Sequence, residues 1–285
     1  VNEIFRDAHD LLCPVCGSDL SLASRTLSCP EGHRFDAAKQ GYFNLLTGRG
    51  TVFREDTADM VASRAAFLEA GHYEPLAAAI VRLAYGSTQT DARTKPLSVI
   101  DAGAGTGYYL DRVLRSSPTG SHAVALDISK FAMRRAAKVE HALALVWDLW
   151  RPLPLAAGCA DVLLNVFAPR NGTEFARVLR PGGVAIVVTP LPGHLGEAAK
   201  ALGLLGIAEH KAQSVTQAMG DAFTESAREE VTFPMSLGSD QAMALALMGP
   251  AGHHLDAEGL RASLETTGIP SVITAAFRIQ VFLRS

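Results

Sequence analysis

Three cysteines and one histidine fall within CPVCGSDLSLASRTLSCPEGH, residues 13–33. The spacing is C-x-x-C, then twelve residues, then C-x-x-x-H. Cys13, Cys16, Cys29 and His33 thus offer three thiolates and one imidazole, a set that zinc takes tetrahedrally. Four protein ligands leave no open position for water, so the expected ion is structural and not catalytic. Each ligand pair sits in a turn with its own Pro and Gly, CPVCG and CPEGH. An element this small cannot build a core of its own, so metal would supply much of its folding free energy. A redox C-x-x-C is the competing reading, but that motif belongs beside a βαβ unit. Unrelated buried cysteines are the other. Cys159 stands apart and reads as a small buried or loop residue without a metal role.

A second group of chemically capable residues is VIDAGAGTGYYLDRVL, residues 99–114. It reads as a strand, a glycine turn and a helix start. Ligands of open α/β sheets sit beyond the carboxyl ends of strands, beside such turns. Gly103, Gly105 and Gly107 let the backbone bend and approach a ligand with no Cβ in the way. The dinucleotide fingerprint G-x-G-x-x-G would need its third glycine at 108, which is Tyr108. No G-x-x-x-x-G-K-[ST] phosphate loop is present either. The pattern D-x-G-x-G-x-G, starting at Asp101, resembles the S-adenosylmethionine (SAM) loop of class I methyltransferases. That resemblance implies that Asp127, ending the next strand, accepts from the ribose hydroxyls. It also implies that Asp148, after the third strand, faces the adenine edge. An acid at a strand end is otherwise often only a helix N-cap.

The elements that must position these groups follow from periodicity. TADMVASRAAFLEAG and YEPLAAAIVRLAYG have helical spacing, with Thr57 or Asp59 as N-cap, Gly71 as stop and Pro75 in a first turn. Strands are expected at 97–101, 122–127, 142–147, 160–167 and 183–190, mostly separated by crossover-length segments. This predicts βαβ units and a mainly parallel, doubly wound sheet. The C-terminal stretch reads as helix (AMALALMG), helix (DAEGLRASLETTG) and an antiparallel strand at or near the sheet edge (PSVITAAFRIQVFL). Three zones result: 1–36, a zinc-binding module; 37–90, a mainly helical connector; and 91–285, the α/β domain.

Composition bounds the remainder. Of 285 residues, 48% are hydrophobic and 19% charged, which suits a globular chain and not a disordered one. The N-terminus lacks a basic n-region and an apolar h-region, and no apolar run is long enough for a bilayer. A soluble, cytoplasmic protein without a membrane partner is the expectation, and there clustered cysteines more often hold metal than form disulfides. The net charge of −3 gives no global pull toward nucleic acid. Locally, Arg25 to Arg54 holds five bases (Arg25, Arg34, Lys39, Arg49, Arg54) against two acids, and KFAMRRAAK (130–138) holds four bases and no acid. Such runs are often no more than solvated faces.

Taken together, CPVCGSDL, CPEGHRFDAAKQGYFNLL, AAFLEAGHYEPL, DAGAGTGYY, NVFAPRN and LRPGGVAIVVTPLPGHL resemble the 23S rRNA guanine-N1 methyltransferases, over nearly the whole chain. DTADMVASRAAFLEAGHY and NVFAPRN look most like the macrolide-resistance branch of actinobacteria. The resemblance implies a class I SAM-dependent fold and zinc at Cys13, Cys16, Cys29 and His33. It implies SAM contacts at Tyr73, Gly105, Thr106 and His194, beside Asp101, Gly103, Gly107, Asp127 and Asp148. It also implies a domain II hairpin of 23S rRNA as partner and a homodimer. Thr106 departs from relatives that carry an acid there, and a hydroxyl can still bond the cofactor. The loop 165–170 follows a strand end on the cofactor side. There Asn165 is expected to bond the guanine edge and Phe167 to stack on the base. Two other readings remain at this point: a small-molecule methyltransferase with a purely structural zinc module, and a non-catalytic RNA-binding protein.

Overall fold

A computed structural model describes residues 10–48, 51–86, 95–199, 201–204 and 211–285. Residues 1–9 and Arg49 of the basic flank lie outside the described residues. The first ordered piece is an antiparallel meander of β1 (Ser21–Ala23), β2 (Thr26–Ser28) and β3 (Arg34–Asp36). The chain then gives β4 (Phe43–Asn44), α1 (Ala58–Glu69) and α2 (Glu74–Gly86). Thr57 caps α1, its side chain accepting from the Met60 amide, and Pro75 sits in the first turn of α2, where its missing N–H costs nothing.

The α/β domain follows with β5 (Ser98–Ala102), α3 (Tyr108–Ser116), β6 (His122–Asp127), α4 (Lys130–Ala136) and β7 (Ala142–Val146). It continues through β8 (Ala160–Val166), α5 (Gly172–Val178), β9 (Leu179–Pro190), α6 (Lys211–Met219) and β10 (Phe223–Met235). It ends with α7 (Ser239–Leu247), α8 (Ala257–Thr267) and β11 (Ile273–Arg284). One sheet runs β10-β11-β9-β8-β5-β6-β7-β4. Its centre is parallel, and β11 pairs antiparallel with both β9 and β10. This is the class I methyltransferase architecture with an N-terminal zinc-binding module. Every residue of β8, ADVLLNV, is buried, as expected of a parallel strand covered on both faces.

Three expectations change. The edge beside β11 is filled by β10, a long strand the sequence pattern does not announce. Its residues alternate in exposure, but Glu225 and Glu229 lie on the inner side, so no apolar alternation is visible. The stretch expected to be a helical connector also supplies β4, which pairs in parallel with β7 at the opposite edge. The strand expected at 183–190 starts earlier, at Leu179.

Two apolar clusters cover the two faces of the sheet. One includes residues of α1, α2, α3 and α7. The other joins Leu11, Leu20, Leu22 and Leu27 of the N-terminal module to Leu143, Leu145 and Trp147 of the domain. Backbone pairing supports this seam: Leu12 donates to Pro154 (3.0 Å) and Ala156 to Asp10 (2.8 Å). The metal-binding module therefore shares a core with the domain and is not a tethered appendage.

Candidate active site and metal centre

Cys13, Cys16, Cys29 and His33 come together as the spacing predicts. Their ligand atoms all lie within 4.8 Å of one another. Cys16 Sγ is 3.7 Å from Cys29 Sγ, and Cys29 Sγ is 3.3 Å from His33 Nδ1. A tetrahedron with Zn–S bonds of about 2.3 Å has sulfur–sulfur edges of about 3.8 Å. The donor set thus fits zinc in number, type and separation, with His33 ligating through Nδ1. Hydrogen bonds from Ser18 lower the Cys16 thiol to about 6, toward the thiolate a metal needs. The chain holds one structural zinc ion here. Cys159 is a free thiol outside this cluster, and burial pushes it up to about 12.

The glycine turn lies at the carboxyl end of β5, where the strand order reverses between β5 and β8. This is the crevice that open α/β sheets use for ligands. Gly103 and Gly107 are demanded by packing. A Cβ on Gly103 would meet the Cβ of Ala168 at 2.2 Å, and one on Gly107 would meet Val139 at 2.9 Å. Both have positive φ, 89° and 80°. Gly105 differs: the nearest atom to its imagined Cβ is Nη1 of Arg64, at 3.5 Å. That side of the turn is left for a ligand.

The three acids line up along the successive strand ends. Asp101 is buried, and desolvation, aided by the charge of Asp127, raises its carboxyl to about 8. Asp127 is raised mainly by desolvation, opposed by the amides of Ser129 (2.8 Å) and Gly105 (2.9 Å), one on each oxygen. Asp148 accepts from the Trp150 amide (3.0 Å) and from the Thr51 hydroxyl (2.9 Å). Thr106 lies in the same turn, between Gly105 and Gly107. Open backbone at Gly105 and acids at the ends of β5, β6 and β7 fit SAM, and the chain is SAM-dependent.

A strap missed at the sequence level crosses these strand ends. From Thr51 on Asp148 it passes Glu55, which pairs with Lys130 (3.0 Å), and Asp56, which pairs with Arg64 (2.6 Å). Arg64 also donates to the Met248 carbonyl (2.6 Å), tying α1 to the end of α7 beside the turn. No sequence signal marks Arg64; it is one base on an amphipathic helix.

Tyr73 and His194, far apart in sequence, meet: Oη is 3.4 Å from Nε2. His194 Nδ1 accepts from the Ala276 amide (3.1 Å). That bond fixes the tautomer, so Nε2 carries the proton and donates to Tyr73. Burial lowers His194 to about 4, so the ring is neutral at ordinary pH. Phe277 of β11 packs on both rings, with centroids 4.9 Å and 4.6 Å away, and on Phe167 at 5.4 Å. A continuous aromatic path thus runs from Tyr73 and His194 to the end of β8. The sequence gives no hint of Phe277, because only the antiparallel return of β11 brings it there.

The two residues expected to meet the target base are placed differently. Phe167 has φ 56°, a strained value for an aromatic residue, and the residue is 44% exposed. Asn165 is fully buried, and its amide nitrogen donates to the carbonyls of Ala102 and Pro169, both at 2.9 Å. It clamps the loop to the end of β5, a role the sequence did not show. Its Oδ1 is buried without a partner.

Among the described residues no helix is long and apolar enough to cross a membrane. A zinc-ribbon family model described as "RlmA, N-terminal" matches residues 11–48. The chain is 43% identical over 264 residues to a 23S rRNA (guanine(748)-N(1))-methyltransferase of Streptomyces fradiae, covering 92% of both chains. It is also 43% identical over 283 residues to a Micromonospora griseorubida protein provisionally named a 23S rRNA (guanine-N(1)-)-methyltransferase, covering 94% of this chain and 95% of the other. Among solved structures, a chain of the Haloferax volcanii complex between the Trm112 methyltransferase activator and its provisional methyltransferase covers 81% of this chain and 99% of its own. Its TM-score is 0.52 at 16% identity, a likeness of fold alone. Zinc knuckle, glycine turn and full-length similarity agree, and the chain belongs to the 23S rRNA guanine-N1 methyltransferase family.

Proposed function

We propose that this chain transfers the methyl group of SAM to N1 of a guanine in a domain II hairpin of 23S rRNA. The observation that carries the reading is the exposed, strained Phe167 at the switch point. It stands one strand from the glycine turn and is joined by Phe277 to Tyr73 and His194. Strain of this kind is kept where the surroundings over-determine it, and binding sites are the usual reason. The relative from Streptomyces fradiae is named for guanine 748, and the same nucleotide is the target inferred here. Protection against macrolides and a cytoplasmic location belong to the same reading, as does a homodimer.

When bound, SAM would supply an electrophilic methyl on a sulfonium; guanine N1 loses its proton to solvent and takes the methyl by in-line displacement, and the sulfur leaves as a neutral thioether. The residues of this chain align the partners, which accounts for much of the rate of such a step. Asp127 and Asp148 hold the ribose and adenine, Thr51 yielding its bond to Asp148. Gly105 and Thr106 line the turn, and Asp101 faces the polar end of the cofactor. Tyr73 and His194 border the methionine portion as neutral groups. Phe167 stacks on the flipped guanine, an extruded base being the usual way to reach a position inside a hairpin. The Asn165 amide nitrogen is committed to backbone carbonyls and the residue is fully buried, so Oδ1 meets guanine only once the 165–170 loop moves aside. Oδ1 is an acceptor, and N1–H and the exocyclic amine of guanine are donors, so the polarity matches. The zinc module grips the hairpin beside the pocket.

The test is transfer of labelled methyl from SAM to hairpin fragments of 23S rRNA, with free guanosine as control. Label should appear in the fragment at guanine N1. Phe167→Ala should lower kcat on RNA by at least about tenfold, the range for a lost alignment, with SAM affinity unchanged. Label in guanosine and none in RNA would show the substrate to be a small molecule.

A further inference from the structure

Beyond Lys130, which pairs with Glu55 of the strap, the basic run on α4 plays no part in the site above, and the fold gives it neighbours. Lys130, Arg134 and Lys138 recur every fourth residue and are exposed, so they share one side of α4 and the turn after it. Lys130 pairs with Glu55, and Arg135 with Glu69 at 3.8 Å. Arg134 and Lys138 have no carboxylate partner among the described residues. The Arg134 guanidinium lies over the ring of Phe131, 5.0 Å from its centroid. That contact keeps a long side chain extended and lowers the ordering cost of a later contact.

The zinc module arrives at the same place by another route. The turn after β3 closes through Gly41 donating to Ala38 (2.9 Å) and Ala38 to Tyr42 (2.8 Å), and the Arg25 guanidinium donates to the Ala38 carbonyl. A Cβ on Gly41 would lie 3.9 Å from the Cβ of Ala137, an ordinary van der Waals contact. Exposed Lys39 and Arg25 therefore stand beside the C-terminal end of α4. The pairing of β4 with β7, the strand that follows α4, fixes this arrangement. Nearby acids are engaged or peripheral: Glu55 and Glu69 as above, Asp36 with Thr26 (2.6 Å), and Glu140 exposed beyond the helix.

We propose that Arg134 and Lys138 of α4 join Arg25 and Lys39 in one RNA-docking face, which carries the backbone of the stem beside the target base. This rests on the rRNA reading above and extends it to a helix outside the zinc module. Two basic runs that are remote in sequence become one track of cations. In a chain of net charge −3 such a track orients an anionic polymer instead of attracting it everywhere. Arginine, with a planar fork of donors, suits phosphate oxygens.

The test uses the full chain and two double variants: Arg134→Ala with Lys138→Ala, and Arg134→Lys with Lys138→Arg. Binding to the 23S rRNA hairpin fragment is measured from roughly 50 to 200 mM salt, with KM, kcat and SAM affinity alongside. The alanine pair should weaken RNA binding about tenfold and flatten the log–log salt slope by about 1.4 to 1.8, near 0.7 to 0.9 per base removed. KM for RNA should rise while kcat and SAM affinity stay level, and the charge-keeping pair should behave as the parent. An unchanged slope and KM in the alanine pair, with the parent methylating the fragment, overturns the docking face alone. A parent that does not methylate the fragment overturns the rRNA reading, and the docking face falls with it.

Discussion

The zinc knuckle and the proposed cofactor cradle are assembled in opposite ways. The knuckle draws all four ligands from residues 13–33, and a metal closes them. The cradle proposed for SAM draws Thr51, Arg64, Tyr73, the turn 103–107, Asp127, Asp148 and His194 from most of the chain. Nothing local brings Tyr73 to His194; strand order does. One site is specified by covalent spacing, the other by topology. A change in the knuckle should therefore act on a unit that folds around its ion, and a change in the cradle on geometry inherited from the whole sheet.

Removing the metal is the hardest test of that contrast. Structural zinc contributes on the order of 10 kcal/mol to such elements. Chelation, or Cys13→Ala, should release residues 11–36 to fast hydrogen exchange and cut rRNA methylation at least about 100-fold, while SAM affinity stays within a few-fold. Because Leu11, Leu20, Leu22 and Leu27 share a core with Leu143 and Leu145, Tm should also fall. Parallel loss of SAM binding would break the contrast and show a single cooperative unit.

Gly103→Ala comes next. Its Cβ would overlap Ala168 at φ 89°, so about 3 kcal/mol or more of stability and most SAM affinity should be lost. Zinc content, read by metal analysis, should be unaffected. The matched Gly105→Ala meets only the movable end of Arg64 and should cost about 1 to 2 kcal/mol, the ordinary penalty for a left-handed residue. Equal losses from the two would show that packing against Ala168 is not what the turn requires.

The remaining effect, which depends on pH, concerns His194. Burial holds it near 4 in the folded chain, below its ordinary 6.5, so the unfolded chain takes up the proton first. Its contribution is present above about pH 6.5 and is lost as pH falls toward 4, amounting to up to about 3 kcal/mol. His194→Gln should flatten that part of the stability–pH curve measured by urea unfolding. A curve of unchanged shape would mean that the ring is not kept neutral by its surroundings.

The contrast also explains what could be read from the chain. The knuckle was fully legible, because ligand spacing is a local property. So were the glycine turn, the helices around 57–86 and the parallel strands, since each has its own periodicity or turn chemistry. β10 was not, because acids sit on both of its sides and hide the alternation. β4 is too short to show a pattern. The loop clamp made by Asn165 was invisible for another reason: a polar residue at a strand end looks the same whether it faces a ligand or holds backbone. Thr51, Arg64 and Phe277 became part of the site only through contacts across the fold.

The sheet ends in two unlike edges. A strand as long as β10 would ordinarily be a template on which another chain could add a strand. Here its outer positions carry Thr224, Ser226, Arg228, Glu230 and Thr232, with Pro234 near the end. Glu225 and Arg228 pair along it, and Glu230 holds Arg278. At the other edge β4 offers two residues beside the knuckle. Charges and a proline along β10, and the shortness of β4, guard both edges of this sheet against the addition of a further strand.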